Sequence, residues 1–277
     1  MFKLIALDLD GTLLNRNKEI SSENLEVINK VIDKGYEVVI ATGRGYYLAK
    51  GLINSIKRPM TILANNGNIL RSSKDDKVIF SKFINKADFK NVLLLGKSYD
   101  LHPIIHVDYY LDKIDMIIED DYSQAKYKAY LTKNDNRFKK ISDDSIYDID
   151  RALAIVYPGK KAMLNEFSFE INKRFPNRYN SHLLEKIDMA EAMFEVMNPQ
   201  GSKWKSIVEY SNSKGIRPEE IIAFGDDNND IEMIVNSGLG VAMKNGSSLI
   251  KEVADIISER DNENSGVAFE LKKILNI

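Results

Sequence analysis

The chain has 277 residues, of which 44% are hydrophobic and 29% charged, and its formal net charge is −2. Lysine and arginine (39) nearly balance aspartate and glutamate (41), so the composition gives no reason to expect nucleic acid or an anionic membrane as a partner. No apolar run is long enough to span a bilayer, the chain starts with a strand pattern instead of a signal peptide, and cysteine is absent. We therefore expect a globular cytoplasmic protein without disulfides, built from one large domain or two ordinary ones.

The first predicted element is a buried strand over residues 4–7, followed by two carboxylates, Asp8 and Asp10, and by Gly11. Such an apolar run is typical of a parallel sheet, whose carboxyl edge binds ligands. Two acids at this edge are costly unless a cation or a proton lies between them, and Mg²⁺ prefers oxygen ligands of this kind. Taken alone, the motif is equally well interpreted as a plain turn. A calcium-binding EF-hand loop does not fit, because a strand and not a helix precedes it.

Helices and strands then alternate with short joints, which predicts a doubly wound α/β fold. The predicted elements are a helix from Ser21 or Ser22 to Lys34, a strand over 36–41, a helix over about 45–56, a strand over 60–64 and a turn over 65–68. Thr42 and Gly43 follow the second strand and precede a helix. They offer a hydroxyl and a backbone N–H to an anion.

The alternation changes between about 82 and 193, where a mixed α/β insert is predicted. Its predicted elements are helices over 86–100 and 160–175, a further helical stretch after the acidic run 119–121, and strands over 102–111, 152–157 and 177–182. If 102–110 is a strand, His102, His106 and Asp108 fall on one face. A second metal site, a contact to substrate and an ordinary polar surface are the alternatives for these three residues.

The first alternation resumes near Phe194. The predicted elements are helices over 201–214, 231–235, 247–253 and 265–275, and strands over 220–225 and 239–243. Lys203 opens the first of these helices, and Asp226, Asn229 and Asp230 follow the strand over 220–225. Four segments of the chain thus offer carboxylates, a hydroxyl, amides and an ammonium, which suit a cation and a phosphoryl group. Each signal is weak alone, but together they favour phosphate chemistry.

These motifs resemble those of the haloacid dehalogenase-like phosphatases, of the Cof-type branch. The matching segments, in the order of the family, are residues 8–14, residues 41–44, Lys203 and residues 225–230. The resemblance implies a Rossmann-like core with a doubly wound parallel sheet, formed by residues 1–82 and 194–277. It also implies an inserted α/β cap domain, residues 83–193, that closes over the active site. Trp204 departs from the small residue that relatives usually have after the lysine.

The resemblance further implies the roles of the catalytic residues, which are Asp8, Asp10, Thr42 and Lys203. Asp8 would attack phosphorus and form an aspartyl-phosphate. Asp10 would protonate the leaving alcohol and then deprotonate the attacking water. Lys203 would stabilise the transferring group and neutralise Asp8.

Two binding sites are implied in the same way. Mg²⁺ would be held by the Asp8 carboxylate, the Asp10 backbone carbonyl and Asp226, with Asp230 acting through water. The substrate phosphate would be bound by Asp8, Thr42, the Gly43 amide, Lys203, Asn229 and the backbone N–H groups of Asp10 and Gly11.

The sequence therefore predicts a Mg²⁺-dependent phosphatase, monomeric or weakly dimeric, that acts on small phosphorylated metabolites, with sugar phosphates as the leading class. A phosphotransferase or phosphosugar mutase using the same nucleophile is the main alternative. A binding module that carries a phosphoryl signal on Asp8 is less favoured, because a general acid two residues away would speed loss of the phosphoryl group. No motif names the substrate.

Overall fold

The structure is a computed structural model that describes residues 1–119, 137–142, 144–187 and 190–277. The chain divides into two compact units. The first consists of Met1–Phe80 and Ser202–Ile277, and the second of Ser81–Gly201. The second unit is thus an insertion between two halves of the first.

The strands, in chain order, are β1 (Leu4–Leu7), β2 (Glu37–Ala41), β3 (Thr61–Ala64), β4 (Ile69–Ser72), β5 (Val78–Ser81), β6 (Ile104–Tyr109), β7 (Ile114–Glu119), β8 (Phe138–Ile141), β9 (Ala152–Gly159), β10 (Asn180–Ile187), β11 (Ala190–Met197), β12 (Ile221–Gly225), β13 (Leu239–Ala242) and β14 (Ile256–Ile257).

The α-helices within the described residues are α1 (Ser22–Asp33), α2 (Tyr46–Leu52), α3 (Lys86–Ser98), α4 (Lys161–Arg174), α5 (Lys203–Ser213), α6 (Ile231–Asn236), α7 (Ser248–Val253) and α8 (Gly266–Leu275). None of them is both long and apolar enough to cross a membrane.

The first unit is built on a sheet with the strand order β14-β13-β12-β1-β2-β3-β4-β5. Every pair from β14 to β3 is parallel, and β4 runs antiparallel to β3. β1 is completely buried, as its uninterrupted apolar run predicts. Because β12 and β2 flank β1 on either side, the loops that follow these three strands meet at one edge of the sheet.

Helix α5 packs against one face of this sheet. Trp204 and Ile207 join an apolar cluster with Leu4 and Val39, residues of the two central strands. Ser202 begins the helix by accepting the Lys205 N–H at 3.0 Å. Trp204 therefore fills the core, and the large residue at this position does not displace Lys203 from the sheet edge.

The second unit contains a sheet with the order β10-β11-β9-β6-β7-β8, antiparallel except for the pair β7 and β8. Helices α3 and α4 lie on one face of this sheet. Phe167 of α4 stands edge-on to Tyr157 and Phe194, with ring centroids 5.0 and 5.7 Å apart. Such aromatic pairs add to the burial of apolar area that stabilises this second core.

The predicted fold class is confirmed: an α/β protein whose doubly wound, mainly parallel core carries an inserted α/β domain. Strands β4, β5, β7, β8, β11 and β14 were not predicted. β11 reads AEAMFEVM, in which alanine, glutamate and methionine favour a helix, but pairing on both sides with β9 and β10 overrides this preference. The helical stretch predicted after the run 119–121 lies outside the described residues.

The junctions between the units differ from the predicted ones. We placed residue 194 at the start of the resumed core, whereas β11 continues to Met197 within the second sheet and the compact unit ends at Gly201. The predicted cap role of the insert stays a prediction.

Candidate active site

A buried ammonium group joins two of the predicted acids. Lys203 Nζ donates to Asp8 Oδ1 at 2.8 Å and to Asp230 Oδ1 at 2.6 Å. All three side chains are almost completely buried. Asp8 directly follows β1, and its N–H donates to Phe224 O at 3.1 Å, so pairing with β12 fixes its backbone. The lysine at the start of α5 therefore lies between the loops that follow β1 and β12.

Asp226 adds a third carboxylate to this group. Ligand atoms of Asp8, Asp226 and Asp230 lie within 4.8 Å of one another, and we call these three residues with Lys203 the buried cluster. The Thr12 hydroxyl donates to Asp226 Oδ1 at 3.0 Å. Three carboxylates share a single lysine, so the buried cluster carries more negative than positive charge.

The excess of carboxylates over cations in the buried cluster shifts the pKa values of its members. Burial, followed by the charge of Asp230, raises the pKa of Asp226 to about 7. Burial also raises the pKa of Asp8, to which the nearby acids contribute while Lys203 opposes them. Burial by itself would lower the pKa of Lys203, but the charges of Asp230 and Asp8 outweigh it, and this pKa is raised. An oxygen-rich cluster of this charge fits a hard divalent cation, which would favour the ionised acids.

The loop after β12 holds Asp230 in place. The backbone N–H groups of Asp226 and Asp227 donate to Asp230 Oδ2 at 3.2 and 3.3 Å. Asp227 is exposed, and its side chain accepts the Asn228 N–H at 2.8 Å, which caps the short 3₁₀ turn Asn228–Asp230. The interpretation of Asp227 as an outward or capping residue is confirmed.

Gly11 allows the loop after β1 to approach Asp226 closely. Its φ is +78°, and a Cβ at this position would lie 2.1 Å from Asp226 Oδ2. Any other residue would meet both the left-handed backbone and the carboxylate. Asp226, which comes 215 positions later in the chain, thus requires glycine in the turn of the Asp-x-Asp-Gly motif.

The Asp10 side chain lies in a different environment. Arg44 donates to both of its oxygens, from Nε at 2.5 Å and from the terminal nitrogen at 2.7 Å, and Lys18 Nζ donates at 2.7 Å. We call these three residues the clamp. Burial would raise the pKa of Asp10, but the hydrogen bonds from Arg44 and Lys18 outweigh it and lower this pKa. The group of acids that could hold a metal does not include the Asp10 carboxylate, and ligation by its backbone carbonyl stays a prediction.

Thr42 and Gly43 lie on the loop after β2. Thr42 is buried, continues the pairing with β3, and accepts the Arg44 N–H through its hydroxyl at 3.1 Å. A Cβ at Gly43 would lie 3.1 Å from Asn66 Oδ1. The same oxygen accepts Asn229 Nδ2 at 3.2 Å, so Asn66 contacts both predicted phosphate-binding loops.

No role was predicted for Arg44, Asn66 or Lys18. Arg44 belongs to a quoted motif, and its position two residues after Thr42 was a usable signal. Residues 65–68 were interpreted only as a turn, although repeated asparagines also offer amides to a ligand or a neighbouring loop. Nothing in the local sequence points to Lys18, because its contact depends on how the loop after β1 folds back.

Two of the three polar residues singled out in the insert pair with different side chains. His102 Nδ1 lies 2.6 Å from Glu119 Oε2, and Asp108 pairs with Arg151 at 3.0 Å. The register of β6 with β9 shifts next to His106, which interrupts the regular alternation of faces. Within the described part of the chain, no group of three metal-binding side chains includes them. Their contact with substrate stays untested.

Comparison with known proteins identifies the family that this chain resembles in sequence and in fold. The haloacid dehalogenase-like hydrolase family matches residues 5–271. A 5-amino-6-(5-phospho-D-ribitylamino)uracil phosphatase of Bacillus subtilis, YwtE, is 27% identical over 99% of this chain and 98% of its own. Another of that name, YcsE, is 29% identical over 96% and 93%. A haloacid dehalogenase-like hydrolase from Bacteroides thetaiotaomicron superposes with a TM-score of 0.83, at 25% identity, over 99% of this chain and all of its own.

The chain belongs to the haloacid dehalogenase-like hydrolase family, as its motifs predicted. Full-length similarity to phosphatases of this family further makes it a phosphatase, so the predicted enzyme class is confirmed.

Proposed function

We propose that this protein is a Mg²⁺-dependent phosphomonoesterase that acts on small phosphorylated metabolites through an aspartyl-phosphate on Asp8. The observation that carries the proposal is the buried cluster, in which Lys203 bridges Asp8 and Asp230 beside Asp226. A carboxylate nucleophile needs a positive environment to approach a phosphate dianion, and these residues supply the lysine and the ligands for a cation.

In this proposal an Asp8 carboxylate oxygen attacks phosphorus as the bond from phosphorus to the leaving oxygen breaks. Protonated Asp10 gives its proton to the departing alkoxide, and the resulting carboxylate later takes a proton from the water that hydrolyses the acyl phosphate. Because Arg44 and Lys18 lower the pKa of Asp10, their contacts must loosen when substrate binds so that Asp10 can carry this proton. Asp8, Asp226, Asp230 through water and the Asp10 carbonyl would hold Mg²⁺, which when bound offsets the charge of the phosphoryl group. Lys203 is protonated when Asp8 attacks, because the charges of Asp230 and Asp8 raise its pKa.

Residues from several loops would bind the phosphate. They are the Thr42 hydroxyl, the Gly43 N–H, Lys203, Asn229 and the backbone N–H groups of Asp10 and Gly11. Lys203 begins α5, and the other residues lie on the loops that follow β1, β2 and β12, which are neighbouring strands of one sheet. Converging N–H and hydroxyl donors suit a phosphate better than a carboxylate, since a phosphate offers three oxygens.

Sugar phosphates and related polyol phosphates are the substrate class that we favour. The two Bacillus relatives are named for a substrate whose phosphate is carried by a ribityl chain, which is a sugar-derived alcohol. Their phosphatase names also support hydrolysis over transfer to a second sugar and over a signalling role for Asp8. Cytoplasmic location and a monomeric or weakly dimeric state belong to the same proposal.

The proposal is tested by phosphate release from an aryl phosphate and a panel of sugar and polyol phosphates. Wild type, Asp8→Asn and Asp33→Asn are compared with Mg²⁺ and with a chelator. Asp33 pairs with Arg58 at the end of α1 and serves as a matched surface control. We expect release that requires Mg²⁺, is normal in Asp33→Asn and is lost in Asp8→Asn. Retained activity in Asp8→Asn would overturn the nucleophile, and wild-type activity in chelator would overturn the metal requirement.

A further inference from the structure

The loop between β3 and β4 has an uncommon backbone next to the proposed phosphate-binding residues. Asn65 and Asn66 have φ values of 48° and 51°, and Gly67 follows with 99°. The left-handed region disfavours every residue except glycine, although asparagine tolerates it better than most. Glycine at position 66 would adopt this backbone without strain. The reason for an amide side chain there must therefore lie in its contacts.

Backbone contacts fix this loop on two sides. The Asn65 N–H donates to Arg44 O at 2.9 Å, and the Asn66 N–H donates to Thr42 O at 3.0 Å. On the other side the Ser206 hydroxyl of α5 donates to Gly67 O at 2.7 Å. The backbone that carries the Asn66 side chain is thus held between the loop after β2 and the helix that begins with Lys203.

The Asn66 side chain joins two loops that are distant in sequence. It is buried, and its Oδ1 accepts Asn229 Nδ2 at 3.2 Å. The same Oδ1 lies against Gly43, where a Cβ would come within 3.1 Å of it. One amide oxygen therefore fixes the orientation of the Asn229 amide and also lies against the Thr42–Gly43 turn.

We propose that Asn66 is a positioning residue of the phosphate site, which holds the Asn229 amide against the Thr42–Gly43 turn. In this arrangement the loops after β2 and β12 present their donors to a single phosphate group. Without the Asn66 amide the Asn229 side chain can rotate, and its order must be regained each time phosphate binds. The inference rests on the proposed function, because it assigns a role at the same site.

Asn66→Gly separates this role from stability. Glycine keeps the left-handed backbone and the N–H bond to Thr42, and relief of backbone strain offsets part of the loss of the amide, so we expect the melting temperature to fall by no more than a few degrees. Loss of the amide should raise KM for a phosphate ester, and Ki for inorganic phosphate as a competitive inhibitor, by roughly fivefold, with a smaller change in kcat. Asn177→Gly is the matched control, since Asn177 is an exposed asparagine with φ 60° in the second unit. Its KM and Ki should equal those of wild type.

A double variant tests the route through Asn229. If Asn66 acts by holding Asn229, Asn66→Gly should change KM and Ki little when Asn229→Ala is already present. Wild-type KM and Ki in Asn66→Gly, or effects of the two substitutions that multiply in full, would overturn the inference. Failure of the proposed function is read separately, as absence of hydrolysis that depends on Asp8 in the wild-type enzyme.

Discussion

Two ionic clusters lie at the same edge of the core sheet, and they are built in opposite ways. In the buried cluster three carboxylates share one lysine, and the side chains of Asp8, Asp230 and Lys203 are almost inaccessible. In the clamp one carboxylate, Asp10, faces two cations, Arg44 and Lys18, and all three side chains are partly exposed. Excess negative charge is therefore buried, and excess positive charge lies near the surface.

The difference indicates what each cluster is suited to bind. Burying unbalanced charge is costly unless a counterion neutralises it, so the buried cluster is suited to a divalent cation. The clamp has one more cation than acid, but its side chains are partly exposed, so solvent screens their charges, and pairs of that kind contribute little to stability. We therefore expect substitutions in the buried cluster to affect folding, metal affinity and turnover together. Substitutions in the clamp should affect turnover alone.

Lys203→Met should have the largest effect. Methionine has a similar length but leaves Asp8 and Asp230 without their shared cation, and removing one partner of a buried ion pair costs about 3–5 kcal/mol. The lost contact to the transferring group should reduce kcat by roughly 100- to 1,000-fold. Lys205→Met, an exposed lysine on the same helix, is the control. Melting curves and kcat are measured with Mg²⁺, and a stable, active Lys203→Met protein would remove the distinction between the clusters.

Asp226→Asn should have an intermediate effect that differs in sign with and without metal. In metal-free protein the substitution removes a carboxyl group whose ionised form is disfavoured, since burial and Asp230 raise its pKa to about 7. The free energy of unfolding should therefore stay equal or rise. With Mg²⁺ the wild type should gain about 2.7 kcal/mol when the ion is at a hundred times its Kd, and the variant much less. Melting temperatures are measured over a Mg²⁺ titration. Asp227→Asn, its exposed neighbour, should respond as wild type does, and an equal Mg²⁺ response in Asp226→Asn would exclude it as a ligand.

The sequence predicted that the residues of the buried cluster lie at one edge of the sheet, while their roles stay predictions. Asp8 and Asp226 each end a short apolar run, and parallel strands bring such ends together whatever lies between them in the chain. Family motifs supplied Lys203, which has no local signal beyond its place at a helix start. Of the fold, the alternating core was predicted most completely, because its buried strands are continuous apolar runs.

The clamp and the Asn66 contacts were not predicted, and neither were several strands of the insert. Lys18 reaches Asp10 only because its loop folds back, and Asn66 reaches Asn229 across 163 positions of sequence. Strand β11 has a composition that favours a helix and becomes a strand through its two partners. In each case the information lies in tertiary contacts, which periodicity and local motifs do not encode.

Arg44→Gln should have the smallest effect on stability and the most selective effect on activity. Its fork to Asp10 is partly exposed, so we expect the free energy of unfolding to change by no more than about 1 kcal/mol. If the clamp positions Asp10 as the general acid, an alkyl phosphate, whose leaving group needs a proton, should lose roughly tenfold in kcat/KM. An aryl phosphate with a good leaving group should lose much less.

The chain offers a closely matched control in Arg58, which forms the same two-point contact with Asp33 on the surface, at 2.7 and 3.0 Å. Arg58→Gln should leave kcat/KM unchanged for both the alkyl and the aryl phosphate. Its effect on the melting temperature should match that of Arg44→Gln. An equal loss on aryl and alkyl phosphates in Arg44→Gln would show that Arg44 acts on the phosphate and not through Asp10. The clamp and the buried cluster would then both bind the phosphate group. The two clusters would differ in exposure and charge but not in their role in the reaction.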